Sequence, residues 1–102
     1  MSFSSKPKFV GADTNHNPAM GWYREMGCSV EDLRNVGNGV SDLLIGCAGI
    51  TDLAEVKFEN GELRKSQKTF NQRWRGSRPW ITRTQDDAIS HVADMRRRAR
   101  KL

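Results

Sequence analysis

A chain of 102 residues with 36% hydrophobic content is expected to hold one domain, enough for a single core and nothing more elaborate. No run of about 18 apolar residues occurs, and the opening MSFSSKPKFV lacks a signal-peptide core, so no membrane span or leader is expected and the cytoplasm is the expected compartment. The net charge of +5 is unevenly spread: residues 1–56 sum to −3, residues 57–83 to +6 and residues 84–102 to +2, a layout that suits an anionic polymer held beside an acidic site.

In chain order, residues 1–12 read as a flexible N-terminal segment, rich in Ser and Lys with no apolar period. Asp13, Thr14 and Asn15 offer helix caps and Pro18 suits a first turn. A short helix follows through Met20, Tyr23, Arg24 and Met26, and Gly27 stops it. Ser29 to Leu33 reads as a first strand, and Asn35 to Asn38 as a loop. Val40 to Gly46 and Thr51 to Phe58 are the next strands, joined by a tight turn at Ala48-Gly49. The connection is too short for a helical crossover, so the pair is an antiparallel hairpin. Glu59-Asn60-Gly61 is turn chemistry.

A second helix is expected near Ser66, capped there or slightly earlier, with Phe70 and Trp74 as its buried i, i+4 pair and Gly76 as its end. Pro79 to Arg83 reads as a fourth strand. Thr84-Gln85-Asp86-Asp87 resembles a capping box, and the last helix carries Ala88, Ile89, Val92 and Ala93 on one stripe before its basic end, Arg96 to Lys101. The expected order is therefore αβββαβα, an α/β fold with a central mixed sheet flanked by helices.

Chemistry concentrates in the hairpin. Asp42 opens one strand, and Glu55 and Lys57 lie two apart in the next, so both point to one face. Two carboxylates and a lysine at one sheet edge make a site for a hard cation such as Mg2+ or Mn2+, with the Val56 carbonyl as a further oxygen ligand. The ordinary alternative is a solvated face of an amphipathic strand, since a bare E-x-K is common. Cys28 and Cys47 read as reduced core or turn residues. With His16 and His91 as the other candidates and no C-x-x-C or H-x-x-x-H spacing, a zinc site is not expected. His91, near the apolar stripe, reads as structural.

The segments Gly39-Val40-Ser41-Asp42-Leu43-Leu44, Ala54-Glu55-Val56-Lys57 and Leu63 to Gln67 resemble a PD-(D/E)XK nuclease, and more narrowly the small stand-alone VRR-type nuclease domains of phages and bacteria. The resemblance covers about residues 13–95. It implies a restriction-endonuclease-like core over a single nuclease domain, residues 13–102. It also implies metal ligation by Asp42 and Glu55, a catalytic Lys57, and Gln67 near the site. The activity implied is Mg2+-dependent DNA cleavage by a homodimer, selective for branched DNA such as Holliday junctions, in a bacterial or phage-infected cell. Three features depart from the pattern. Ser41 stands where the family has proline, Pro18 falls where its first helix often has glutamate, and the L-S-x-x-Q run is altered to Leu63-Arg64-Lys65-Ser66-Gln67. The second departure favours a one-metal site.

Arg64, Lys65, Lys68, Arg73, Arg75 and Arg78 surround the second helix and suit backbone phosphates, which position a duplex without reading its sequence. Trp74 and Trp80 read as core side chains, with base stacking as the alternative. The Arg96–Lys101 cluster reads equally as a DNA-gripping tail or a cationic helix end. The competing functions are a nucleic-acid-binding module that keeps the fold without catalysis, and an interaction protein whose acidic N-terminal half binds a partner.

Overall fold

The computed structural model describes residues 16–102. The flexible segment 1–12 and the caps at Asp13–Asn15 expected from the sequence lie outside the described residues. The elements follow the expected order: α1 (His16–Glu25), β1 (Ser29–Asp32), β2 (Leu43–Cys47), β3 (Ile50–Val56), α2 (Lys65–Arg73), β4 (Trp80–Thr82) and α3 (Gln85–Ala99). Their arrangement is mixed α+β.

The β2–β3 hairpin sets the frame. Cys47 pairs with Ile50, and the two residues between, Ala48 (φ 55°) and Gly49 (φ 84°), are both left-handed, as a turn matched to strand twist requires. β1 pairs antiparallel with β2, and β4 pairs parallel with β3 after the crossover through α2. The result is a four-stranded mixed sheet in the order β1-β2-β3-β4.

Alternation along β3 assigns the two faces. Asp52, Ala54 and Val56 turn toward α1 and α3, and Leu53 and Glu55 turn toward α2, so β3 is buried on both sides. The apolar core fills the α1/α3 side with Ala19, Tyr23, Val30, Leu43, Ile45, Ala54, Val56, Val92 and Met95. Cys28 and Cys47 are free and buried there, as expected. Among the described residues no helix is long and apolar enough to cross a membrane.

Several boundaries differ from the sequence reading. β2 begins at Leu43 rather than Val40, because Gly37, Asn38 and Gly39 hold successive positive φ values of 80°, 59° and 77° and turn the chain away from the ladder. β3 stops at Val56 and β4 spans only Trp80–Thr82. α2 begins at Lys65 and ends at Arg73, so Ser66 is not its cap and Gly76 lies beyond its end. The buried face of α2 is Gln67 and Phe70, whereas Trp74 is 43% exposed. The Phe70–Trp74 pair does form, with rings stacked at 5.2 Å, and the indole is its outer member. On α3 the buried residues are Ala88, His91, Val92 and Met95, with Ile89 and Ala93 facing solvent. The Thr84 capping box is present: Thr84 Oγ1 accepts from the Asp87 N–H at 3.2 Å, and Asp87 Oδ2 accepts from the Thr84 N–H at 3.2 Å.

A polar chain threads the α1/α3 core. Asp52 Oδ2 lies 2.7 Å from His91 Nε2, His91 Nδ1 lies 2.8 Å from the Tyr23 hydroxyl, and that hydroxyl lies 2.7 Å from Thr82 Oγ1. Arg98 closes the chain with both terminal nitrogens on Asp52. Trp80 stacks on the His91 ring at 4.6 Å, which makes both residues structural.

Candidate active site

β2 begins at Leu43, opposite Ala54, two residue pairs short of Val56, and a side chain takes the place of the missing ladder partner. Asp42 Oδ2 accepts the Val56 N–H at 2.9 Å. In an extended strand the N–H and C=O of one residue point the same way, so the Val56 carbonyl faces the Asp42 side of the strand. The neighbouring Ser41 hydroxyl is buried without a hydrogen-bond partner among the described residues.

Glu55 sits on the opposite face from Asp52 and is only 2% exposed. Its Oε2 accepts a close hydrogen bond from Gln67 Nε2 and lies 3.7 Å from Lys57 Nζ. Gln67 uses both ends of its amide. Its Oε1 accepts the Arg64 N–H at 2.7 Å, satisfying a donor at the start of α2, which leaves the NH2 to face Glu55. This explains a glutamine three residues into α2: a group that both accepts and donates is needed, and neither Glu nor Lys does both.

Two backbone devices hold these parts in register. Gly39 packs against the start of α2 so closely that a Cβ there would lie 2.1 Å from the Ser66 carbonyl oxygen. The loop that delivers Asp42 is thereby fastened to the helix that delivers Gln67. On the other side, Arg83 Nη1 donates to the carbonyls of Phe58 (3.0 Å), Glu59 (3.4 Å) and Gly61, gathering the turn that follows Lys57. From the sequence Arg83 is the end of the fourth strand and one of the basic residues, with no role at this turn. Its signal was a lone arginine at a strand end, which is too common to single out.

The structure therefore brings Asp42, Glu55, Lys57 and Gln67 together, with Val56 between the two strand residues. Burial first, then the charge and hydrogen bond of Asp42, push the Glu55 carboxyl up to about 8, against the pull of Lys57 and Arg64. Among the described residues no group of three His, Cys, Asp or Glu side chains could hold a metal ion. Two carboxylates and a backbone oxygen still fit Mg2+, which keeps several waters and takes one or two carboxylates plus substrate phosphate. α1 packs beside α3, and the described contacts of this constellation involve no α1 side chain.

The six basic residues around α2 are all exposed, with Arg64 next to the site as the residue preceding the helix. The C-terminal cluster is mostly engaged elsewhere. Arg96 Nη2 donates to the Met26 carbonyl at 2.6 Å, Arg97 pairs with Asp94, and Arg98 joins Asp94 to Asp52. The helix-end reading suits Arg96 to Arg98, leaving Arg100 and Lys101 as the exposed end.

A titration prediction follows from Glu55. Its folded pKa lies above its ordinary 4.5, so its contribution to stability is complete below about 4.5 and is lost as pH rises through about 8. Melting of the metal-free protein should show this fall between pH 5 and about 8. Glu55→Gln, which cannot ionise, should flatten the slope; an unchanged slope would place its origin elsewhere.

Comparison of the chain with protein-family models, with curated proteins and with solved structures finds no match.

Proposed function

We propose that the chain is a metal-dependent endonuclease of the PD-(D/E)XK kind, with a restriction-endonuclease-like core, that hydrolyses phosphodiester bonds in DNA. One observation supports this above the others: Asp42, Glu55, Lys57 and Gln67, from a loop, a strand, its end and a helix, converge in one connected set. A structural ion pair does not need a second carboxylate beside a buried one, because the two repel. A cation site does.

Asp42, Glu55 and the Val56 carbonyl would hold Mg2+ or Mn2+. Such a cation, when bound, supplies Lewis-acid polarisation of the phosphate and a more acidic water. Gln67 fixes the rotamer of Glu55 through Oε2, keeping that carboxylate aimed at the strand edge. Lys57 sits beside the carboxylates and orients the attacking water or stabilises charge that develops on the phosphate oxygens. In the step itself the water oxygen bonds to phosphorus and gives up a proton, the opposite P–O ester bond breaks with its electron pair on the leaving oxygen, and that oxygen takes up a proton in balance. Exposed Arg64, Lys65 and Lys68 would hold neighbouring phosphates. A homodimer acting on branched DNA gives two such sites for paired strands.

The test is a cleavage panel with Mg2+ or Mn2+ over a four-way junction, a flap, linear duplex and single strand. Cutting that is abolished by chelation and by Asp42→Ala is the expected result. Equal cutting by Asp42→Ala and the parent protein, or no cutting with either metal, would sink the reading.

A further inference from the structure

Trp74 departs most from expectation. The i, i+4 spacing with Phe70 makes it a core residue, yet 43% of it is in solvent. An indole left exposed on a small domain forgoes burial that would stabilise the fold. This one is nevertheless held in place. One face stacks on Phe70 at 5.2 Å with planes 22° apart, and Phe70 itself is buried and carries the Arg73 guanidinium 5.2 Å from its ring centre. Gly76 lies against the indole edge so closely that a Cβ there would be 2.7 Å from Nε1. The ring is thus both ordered and presented.

Its surroundings state what it is presented to. Arg73 and Arg75 flank it in the chain and Arg78 follows, all exposed, in the stretch that carries +6. A fixed, half-exposed aromatic among cations is the chemistry that receives a nucleobase while its backbone stays on the positive surface. A protein partner would favour an apolar surround with charge depleted at its centre, which this patch lacks. Position adds a further constraint. Gln67, Phe70 and Trp74 follow the +3, +4 spacing of one helix stripe, and Gln67 touches Glu55. At about 1.5 Å per residue, Trp74 lies about 10 Å along the helix from the carboxylate site, roughly three base steps of a stacked strand.

We propose that Trp74 is a stacking platform for an unpaired nucleobase of the DNA strand whose phosphate lies at Glu55. A base inside a continuous duplex presents no free face to it, so the platform selects DNA with unpaired bases near the scissile bond. This deepens the nuclease reading, on which the distance from platform to phosphate rests.

The experiment separates the two ideas. Binding is measured in EDTA, where no cleavage occurs, by anisotropy of a labelled oligothymidylate and of a labelled duplex of equal length. Trp74→Ala should weaken oligothymidylate binding by roughly 5- to 150-fold, the equivalent of losing one base–aromatic stack, while duplex binding changes by less than about threefold. Trp74→Phe should retain most of the affinity, and oligothymidylate should quench the indole fluorescence of the parent protein, a quench that Trp74→Phe, which keeps only Trp22 and Trp80, should lose. Equal weakening for both DNAs, no weakening, or no binding of oligothymidylate by the parent protein overturns the platform. Cleavage in Mg2+ is then scored separately. A protein that binds through Trp74 and cuts nothing refutes the nuclease and keeps the platform. One that cuts junctions with a Trp74→Ala preference identical to the parent refutes the platform and keeps the nuclease.

Discussion

Replacing Lys57 by alanine should leave DNA binding nearly unchanged while slowing metal-dependent cleavage by about 10²–10³-fold. Lys57 lies just past the end of β3, and its backbone position is held independently of its side chain. Its N–H donates to the Thr82 carbonyl at 3.1 Å, and the turn beyond it is gathered by Arg83. What alanine removes is the ammonium 3.7 Å from Glu55 Oε2. On the proposed mechanism that group acts when charge develops on phosphate, so the loss should fall on kcat rather than on affinity. Single-turnover cleavage with saturating protein, beside an anisotropy titration in EDTA, measures both. A parent-like cleavage rate would remove Lys57 from the mechanism, and a fall in affinity equal to the fall in rate would make it a phosphate anchor only.

The second large effect lies on the other face of the sheet. Asp52→Ala should destabilise the protein by about 3–5 kcal/mol, the usual cost of leaving buried charge partners uncompensated. Against a total of about 5–15 kcal/mol for a domain of this size, that approaches unfolding at growth temperature. Burial by itself would raise the Asp52 carboxyl. Hydrogen bonds and charge from His91 and Arg98 outweigh it and hold the group below the usual carboxylate range. An ionised Asp52 can only accept, which places a proton on His91 Nε2. The ring's other nitrogen, Nδ1, meets the Tyr23 hydroxyl, which in turn meets Thr82 Oγ1. Removing the carboxylate therefore orphans a chain that joins α1, β3, β4 and α3. Asp52→Asn keeps an acceptor and should cost less. A depressed folded pKa contributes stability above the ordinary carboxylate range, lost as pH falls through the folded value, so acid unfolding of Asp52→Asn should be less steep. Urea melts at neutral and acid pH measure both, and a loss under about 1 kcal/mol for Asp52→Ala would show that the chain is not a stabilising unit.

Local chemistry made the Asp42, Glu55 and Lys57 cluster and the element order legible in the sequence. A two-residue turn at Ala48-Gly49 requires a hairpin, and period-two alternation puts Glu55 and Lys57 on one face whatever else surrounds them. Gln67 was placed near the site only by resemblance; its amide bridge between Arg64 and Glu55 is tertiary. The Asp52–His91 contact joins residues 39 apart in sequence on different elements, and no spacing rule reaches it. Trp74 was misplaced because periodicity describes a helix stripe but not where the helix stops, and α2 stops at Arg73. The sequence leaves Arg96 to Arg98 open between a DNA-gripping tail and a cationic helix end, because two of their partners, Met26 and Asp52, are 46 or more residues away and on other segments.

The way α2 is attached has its own consequence. Only two of its side chains are buried, Gln67 and Phe70, while the α1/α3 face carries nearly all of the core and the polar chain. One of those two anchors is also the residue that aims Glu55. The helix can therefore detach as a local unit without melting the domain, and each detachment takes the site apart. On the proposed nuclease function, activity would then follow a low-energy opening equilibrium laid over a sturdier scaffold, and anything that pins the outer surface of α2, a bound strand included, would move that equilibrium toward the assembled state.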